Sequence, residues 1–234
     1  MILQALMEYY ENLAKQGKLP RQGWCQAKVS YGINLSKNGD IKNIFYLKEE
    51  KTRGTKKVWL PKTLIVPLMV TRSSGKVSNF LCDNSKFLLG IDTYGTDKGM
   101  LERFQAAKEK HLNLLENASG EMAQAICAFF HKWNPEKAKE NPGVMEKWED
   151  ITDGGNLIFC MNEKYAQDDD EIRKIWDNDN KEKVSDAEGI CLVTGERTEI
   201  SRTHRNIKGV PGAQSSGATL VSLLSLSHIF LISS

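Results

Sequence analysis

Hydrophobic residues recur at helical spacing at the start of the chain. They lie three or four positions apart, as on one face of an amphipathic helix, and they are Ile2, Leu3, Leu6, Tyr9, Tyr10 and Leu13. Gly17 and then Pro20 interrupt the pattern, because both residues disfavour continuation of a helix. The pattern therefore predicts an opening amphipathic helix.

A pattern of period two follows and predicts a β-hairpin. Four apolar residues alternate with smaller or polar ones: Val29, Tyr31, Ile33 and Leu35. Asn38-Gly39 supplies two residues that accept positive φ angles, and Ile41 to Leu47 returns as a second apolar strand. The spacing matches two antiparallel strands joined by a tight turn.

The rest of the chain mixes short strands with helices. β-rich runs occupy 58–60, 64–70, 87–91, 156–160 and 190–194, and Pro67 suggests an edge or a break in the second of these. Asp97 and Ser119 are suitable N-caps for two longer helices, and a short helix is expected over 171–176. Since no regular βαβ rhythm is present, we expect an α+β fold with a mixed or antiparallel sheet and an N-terminal hairpin packed against helices.

Composition places the chain among ordinary globular proteins. Its 234 residues include 32 Lys+Arg and 30 Asp+Glu, and 40% are hydrophobic, which excludes a disordered or a uniformly basic protein. Residues 146–189 hold fourteen acidic and six basic side chains, a net charge of −8, which leaves +10 on the remainder. This asymmetry is compatible with a basic face that contacts a polyanion, although solvated faces of mixed charge also produce it.

The cysteines and the termini indicate a cytoplasmic protein. The cysteines are dispersed and contain no C-x-x-C pair, which is typical of reduced thiols: Cys25, Cys82, Cys127, Cys160 and Cys191. The first residues lack a positive stretch and meet Glu8 and Glu11 too early for a signal peptide. The last apolar run, 220–232, is too short to span a membrane, so no membrane association is expected.

Two polar, glycine-bearing segments are candidate binding loops. The first carries Arg72, Lys76 and Asn79, but it is not a Walker loop, because Val70 and Val77 occupy positions that need Gly and Ser or Thr. The second combines basic and small polar residues: Arg202, Arg205, Lys208, Gln214, Ser215 and Ser216. Such side chains bind phosphates and base edges, yet a plain surface turn and a flexible loop remain the alternatives. A further basic run is interpreted as a solvated hairpin extension: Lys48, Lys51, Arg53, Lys56 and Lys57.

Support for catalysis is thin. The acidic stretch Asp168 to Glu171 could hold a metal ion, but acidic residues at a helix start are also favoured by the helix dipole. No histidine pairs with a cysteine or a carboxylate at ligand spacing, and the common catalytic motifs are absent. We expect no catalytic residue, metal or cofactor, and a metal-dependent nuclease using this stretch remains the alternative.

Several segments, taken in order, resemble the large subunit of the type I-C CRISPR interference complex (Cascade). They cover about 1–222 and are Ile2-Leu3-Gln4-Ala5-Leu6, Arg72-Ser73-Ser74-Gly75, Asn79-Phe80-Leu81-Cys82-Asp83-Asn84, Leu88-Leu89-Gly90, Gly154-Gly155-Asn156-Leu157, Cys191-Leu192-Val193-Thr194-Gly195 and Ile207-Lys208-Gly209-Val210-Pro211-Gly212-Ala213-Gln214-Ser215-Ser216-Gly217-Ala218. The resemblance implies that 1–222 form the N-terminal domain of that subunit. The uncharged residues 223–234 depart from the family and suggest a truncation or a frame change.

The resemblance also implies a function within an RNA-guided defence complex. Its large subunit contacts the protospacer-adjacent motif of double-stranded target DNA, lies beside the 5′ end of the guide RNA, joins the other Cascade subunits and helps to recruit the helicase-nuclease. Our hypothesis is that motif contacts or strand wedging come from Lys76, Asn79, Gln214, Ser215 and Ser216, and phosphate contacts from Arg72, Arg202, Arg205 and Lys208. We expect the two loops to meet on one basic side of the molecule.

Overall fold

A computed structural model describes residues 2–16, 19–70, 72, 75–182, 188–190, 195, 197–199 and 212. The helices are α1 (Ile2–Lys15), α2 (Ser85–Leu88), α3 (Lys98–Leu115), α4 (Glu121–Lys132), α5 (Pro142–Met145), α6 (Trp148–Asp153) and α7 (Asp170–Glu182). The strands are β1 (Trp24–Leu35), β2 (Ile41–Tyr46), β3 (Lys48–Arg53), β4 (Lys56–Pro67), β5 (Cys82–Asp83), β6 (Asn156–Met161), β7 (Lys164–Tyr165), β8 (Glu188–Ile190) and β9 (Arg197–Glu199). Short 3-10 helices occupy Pro135–Glu140 and Ala166–Asp168.

The chain divides into two compact units, of which the larger is formed by residues 5–183. The other contains the antiparallel pair of β8 and β9. The larger unit holds a mixed sheet of order β3-β4-β1-β6-β5, with β2 added to β1 and β7 added to β6. β1 pairs antiparallel with β4 and β2, and parallel with β6. The predicted α+β fold and the predicted hairpin are confirmed.

A β-bulge at Ser30 divides β1 into halves that face opposite ways. Val29 pairs with Asn156 and Tyr31 pairs with Leu157, so β1 advances two residues while β6 advances one. Because side chains alternate along a strand, the extra residue moves every later side chain to the other face. Val29 therefore packs in one hydrophobic cluster and Tyr31 in another.

The larger hydrophobic cluster lies between the sheet and helices α3, α4 and α7. Its aromatic members are Phe80, Phe87, Phe104, Phe129, Phe130, Phe159, Tyr31, Trp24 and Trp176. Burial of a phenylalanine side chain stabilises the fold by about 1.5–3 kcal/mol. Residues 78–81 lie beside α3, since Lys110 Nζ donates to the carbonyl of Ser78 and the N–H of Leu81 donates to His111 Nε2.

Some predicted elements differ from the observed ones. The run 87–91 was expected to be a strand, but Ser85–Leu88 forms α2, because a short run buried on every side has no periodicity to separate strand from helix. The run 58–60 and residues 64–67 of the run 64–70 belong to a single strand, β4, which ends at Pro67. Of the predicted strand 190–194, only Ile190 lies within the described residues, at the end of β8.

The opening helix α1 is confirmed, but much of its apolar face is not packed. The side chains of Leu6, Tyr9 and Tyr10 are all exposed. Within the described ranges, no helix has the length and apolar character needed to cross a lipid bilayer.

Four cysteines in the described residues carry free thiols: Cys25, Cys82, Cys127 and Cys160. Burial raises the pKa of Cys160 to about 12 and that of Cys127 to about 11, and it also raises the pKa of Cys82. These three thiols are therefore protonated and unreactive near neutral pH. Cys191 lies outside the described residues.

His111 of α3 is buried among aromatic rings and held as one tautomer. The backbone N–H of Leu81, a residue with φ of 61°, donates to His111 Nε2 at 2.9 Å. Because Nε2 accepts, the proton must lie on Nδ1, which donates to the carbonyl of Ala107 at 2.7 Å. Burial, together with the charge of Lys110, lowers the pKa of His111 to about 3. The hydrogen bond to the Ala107 carbonyl acts in the opposite direction and is outweighed.

We expect the free energy of unfolding to fall below about pH 6.5 because of His111. His111 has a pKa near 6.5 in the unfolded chain and about 3 in the folded chain, so the unfolded chain binds this proton more readily. The contribution of neutral His111 to stability is therefore fully present above about pH 6.5 and is lost as the pH falls from there toward 3. The slope contributed by His111 approaches about 1.4 kcal/mol per pH unit. Urea unfolding as a function of pH measures it.

The matched variants are His111→Gln and His131→Gln, since His131 lies exposed on the neighbouring helix α4. His111→Gln should lower the free energy of unfolding at neutral pH and remove the part of its decrease with falling pH that comes from His111. His131→Gln should show the same decrease as the wild-type protein. Equal slopes in the wild-type protein and His111→Gln would contradict the assignment.

Candidate nucleic-acid interface

Arg72 anchors the first predicted loop to the fold. Its Nη1 donates to Asp83 Oδ1 at 2.9 Å, its Nη2 donates to Asp83 Oδ2, and its Nε donates to the carbonyl of Val77 at 2.6 Å. The guanidinium also lies 3.9 Å from the centre of the Phe87 ring. The side chain of Arg72 is 21% exposed and that of Asp83 is 1% exposed. Three of the five N–H donors of Arg72 are thus engaged inside the protein.

Asn79 closes the same loop from the other end. Its Oδ1 accepts from the backbone N–H of Val70 at 2.9 Å, and its own backbone N–H donates to Asp83 Oδ2 at 2.9 Å. Only 2% of Asn79 is exposed. In this structure Arg72 and Asn79 support the loop from within and do not present their side chains at its surface. Their direct contact with nucleic acid stays a prediction, and it requires the loop to open.

Lys76 is the predicted residue of this loop that reaches solvent. Its side chain is 59% exposed, and Nζ lies 2.6 Å from Glu102 Oε2 on α3. The hydrogen bond from Lys76, together with the charges of Lys76, Lys98 and Arg103, lowers the pKa of Glu102. Desolvation raises this pKa but does not outweigh them. The charges of three cations therefore act on this one carboxylate. We call Lys76, Lys98, Glu102 and Arg103 the loop patch.

The first two turns of α3 place the helical residues of the loop patch. Asp97 caps the helix as predicted, and its side chain accepts from the backbone N–H of Met100 at 2.8 Å. Further along α3, Lys110 Nζ donates to the carbonyl of Ser78 at 3.0 Å and so ties the helix to the loop. Lys98 and Arg103 were missed at the level of sequence, because nothing in their spacing shows that α3 begins beside residue 76.

The predicted residues of the second loop lie outside the described residues. They are Arg202, Arg205, Lys208, Gln214, Ser215 and Ser216. Their roles, and the meeting of the two loops on one basic side, stay predictions.

The acidic stretch Asp168 to Glu171 is used by the fold itself. Asp169 Oδ1 accepts from the backbone N–H groups of Glu171 and Ile172 at the start of α7. Asp168 pairs with Arg173 at 3.1 Å. Among the described residues, no group of three or more His, Cys, Asp or Glu side chains is placed to hold a metal ion.

Glu171 performs the capping that was predicted for Ser119. Its carboxylate accepts from the backbone N–H of Ser119 at 2.9 Å and from that of Gly120 at 2.6 Å, where α4 begins. These bonds lower the pKa of Glu171, the bond from Ser119 most strongly. The predicted Ser119 cap is therefore wrong, because Gly120 is the N-cap residue and the capping oxygen comes from a distant helix.

The basic run that begins at Lys48 lies on the two-stranded ribbon of β3 and β4. This agrees with its interpretation as a hairpin extension. β3 and β4 pair antiparallel from Lys48 with Pro61 to Arg53 with Lys56. Lys57 is 75% exposed on a side-chain basis and pairs with Glu50 at 2.8 Å. Lys57 thus makes the same kind of surface ion pair as Lys76, away from the loop patch.

Comparison with protein families matches residues 6–226 to the family model described as CRISPR-associated protein (Cas_Csd1). No curated protein matches the chain. The matched segment includes both predicted loops and the whole loop patch.

Proposed function

Because the chain belongs to the Csd1 family of CRISPR-associated proteins, that of the type I-C Cascade large subunit, we propose that it binds target DNA without catalysing a reaction. In this proposal it contacts the protospacer-adjacent motif of the DNA duplex and the 5′ end of the guide RNA, and it helps to recruit the helicase-nuclease. The other Cascade subunits are its proposed partners. Base pairing with the guide would read the remaining target sequence, a division of labour known from another RNA-guided effector.

The observation that carries the DNA-binding proposal is the loop patch. Lys76 lies between Arg72 and Asn79, which both bond to Asp83, and its own side chain is 59% exposed. Its ion pair with Glu102 is exposed at both ends, and exposed ion pairs contribute little to stability. A DNA phosphate or base edge can therefore replace Glu102 as the partner of Lys76 at little cost.

The acidic stretch gives no support to the nuclease alternative. Each of its carboxylates has a partner in the fold: Asp168 and Asp170 with Arg173, Asp169 with Lys164, and Glu171 with the start of α4. A metal ion at this place would have to compete with these contacts.

We expect Lys76→Ala to weaken binding of motif-containing duplex by about 1–3 kcal/mol, about thirtyfold at the middle of that range. If Lys76 contacts a base, the loss falls on duplexes that carry the correct motif. If it contacts a phosphate, the loss is uniform across sequences, and the dependence of log K on log salt falls by about 0.9. A gel-shift assay in the assembled complex, with duplexes that differ only in the flanking trinucleotide, measures both.

Lys57→Ala is the matched control, because Lys57 is also an exposed lysine, 75% against 59% for Lys76, and also pairs with one glutamate. It should leave duplex binding within about twofold of wild type, since surface changes away from an interface have small effects. Glu102→Gln should instead tighten binding by releasing Lys76. Unchanged binding by Lys76→Ala would contradict the proposal, and duplex cleavage in Mg²⁺ that Asp169→Ala abolishes would favour the nuclease.

A further inference from the structure

Lys110 lies on α3 outside the loop patch, and its side chain contacts the fold itself. Its Nζ donates to the carbonyl of Ser78 at 3.0 Å and lies 5.6 Å from the centre of the Trp176 ring. Both of these residues are buried, with 2% of Ser78 and 4% of Trp176 exposed. A buried carbonyl needs a hydrogen-bond donor, and Lys110 supplies one to Ser78.

Two neighbouring residues of α3 bond to the chain that follows Lys76. Lys110 donates to the carbonyl of Ser78, and His111 accepts from the backbone N–H of Leu81. Of the two, the bond from Lys110 lies nearer to Lys76, because Ser78 is only two residues further along the chain. Lys110 therefore sets where the chain beside Lys76 meets the helix.

Residues 76–78 are tied to α3 in two places that differ in exposure. The first tie is the ion pair of Lys76 with Glu102, which is exposed at both ends. The second is the bond from Lys110, which lies eight residues after Glu102, about 12 Å further along the helix axis. This bond is partly buried, and its charged donor makes it stronger than a bond between neutral groups.

Duplex binding as proposed above breaks the first of these ties. When a DNA phosphate or base edge takes the place of Glu102, the side chain of Lys76 no longer holds the loop to the helix. The bond from Lys110 to Ser78 does not involve that side chain, so it remains. It then keeps Lys76 near the cations of the loop patch that α3 carries.

We propose that Lys110 is a positioning residue for duplex binding, which acts through Lys76 and does not itself contact the DNA. This inference rests on the proposed function. Without the bond to Ser78, Lys76 samples more positions in the free protein, and binding has to restrict them. The affinity for motif-containing duplex should then fall about 3- to 10-fold.

The experiment measures duplex binding in the assembled complex for Lys110→Met and Lys108→Met. Methionine retains an unbranched apolar side chain but has no donor for the Ser78 carbonyl. Lys108 is the matched control, because it is also a half-buried lysine of α3 and, within the described residues, has no bond to the loop. Both variants lose one positive charge. Lys110→Met should bind about 3- to 10-fold more weakly, and Lys108→Met should stay within about twofold of wild type.

A double-mutant cycle with Lys76→Ala tests whether Lys110 acts through Lys76. In the Lys76→Ala background, adding Lys110→Met should change duplex binding by less than about twofold, because no lysine remains to be positioned. A merely structural role would weaken binding by the same factor in both backgrounds, and that result would overturn the inference. Wild-type affinity in Lys110→Met would overturn it as well.

Lysine acetylation of the wild-type complex, followed by mass spectrometry, tests the same assignment without a variant. Lys76 should react in the free complex and be protected by motif-containing duplex. Lys110 should react more slowly than Lys108 without DNA, and the duplex should leave its rate unchanged. Equal rates for Lys110 and Lys108 without DNA would contradict the assignment, as would protection of Lys110 by the duplex to the extent seen for Lys76.

These measurements separate the inference from the proposed function. If Lys76→Ala leaves duplex binding unchanged, the proposed function fails, and Lys110 has no DNA contact to position. If Lys76→Ala weakens binding while Lys110→Met does not, only the role of Lys110 is overturned.

Discussion

Replacing Gly39 by alanine should lower the free energy of unfolding by about 3–5 kcal/mol. A β-carbon at Gly39 would lie 2.2 Å from the backbone nitrogen of Phe129 and 2.6 Å from the carbonyl carbon of Ala128. Backbone atoms of α4 cannot move aside as the end of a flexible side chain can. The φ of 81° at Gly39 adds the cost of a left-handed conformation. Urea unfolding measures the loss.

Gly54→Ala is the matched control for this prediction. Gly54 lies in the turn between β3 and β4 with a φ of 61°, and a β-carbon there would have no neighbour within 4 Å. It should cost only about 1–2 kcal/mol, the cost of the backbone conformation. Asparagine tolerates this conformation, so Gly54→Asn should be almost neutral while Gly39→Asn stays strongly destabilising. Equal losses at the two positions would show that the contact with α4 is unimportant.

Arg72→Ala should lower the free energy of unfolding by about 3–5 kcal/mol. The substitution leaves the carboxylate of Asp83 buried without its cationic partner, although the backbone N–H groups of Asn79 and Asn84 still donate to it. It also removes the bond from Nε to the carbonyl of Val77, which shapes the loop that carries Lys76. Thermal or urea unfolding of the variant gives the loss.

A double-mutant cycle separates this supporting role from a phosphate contact. If Arg72 acts through Asp83, adding Asp83→Ala to Arg72→Ala should cost less than Asp83→Ala costs alone. Arg103→Ala, in the loop patch, should change stability by no more than about 0.5 kcal/mol. An Arg72→Ala protein with wild-type stability and a salt slope reduced by about 0.9 would instead assign Arg72 to the DNA backbone.

Local patterns were sufficient to predict the elements whose signals lie within a few residues. The N-terminal hairpin follows from alternating apolar residues and Asn38-Gly39, and the start of α3 follows from Asp97. The family resemblance, carried by motifs that extend along the chain, agrees with the family match over residues 6–226. Lys76, predicted to lie on a short polar loop, is exposed, and its role in binding stays a prediction.

Tertiary structure decided which residues meet and which faces they occupy. Val29 and Tyr31 have the same phase in the sequence, yet the bulge at Ser30 places them in different clusters. The capping of α4 by Glu171, the pairing of Arg72 with Asp83 and the cations around Glu102 likewise depend on neighbours brought together by folding. Periodicity reports the preference of each segment for a conformation and a buried face, whereas such contacts depend on how segments distant in the chain pack together.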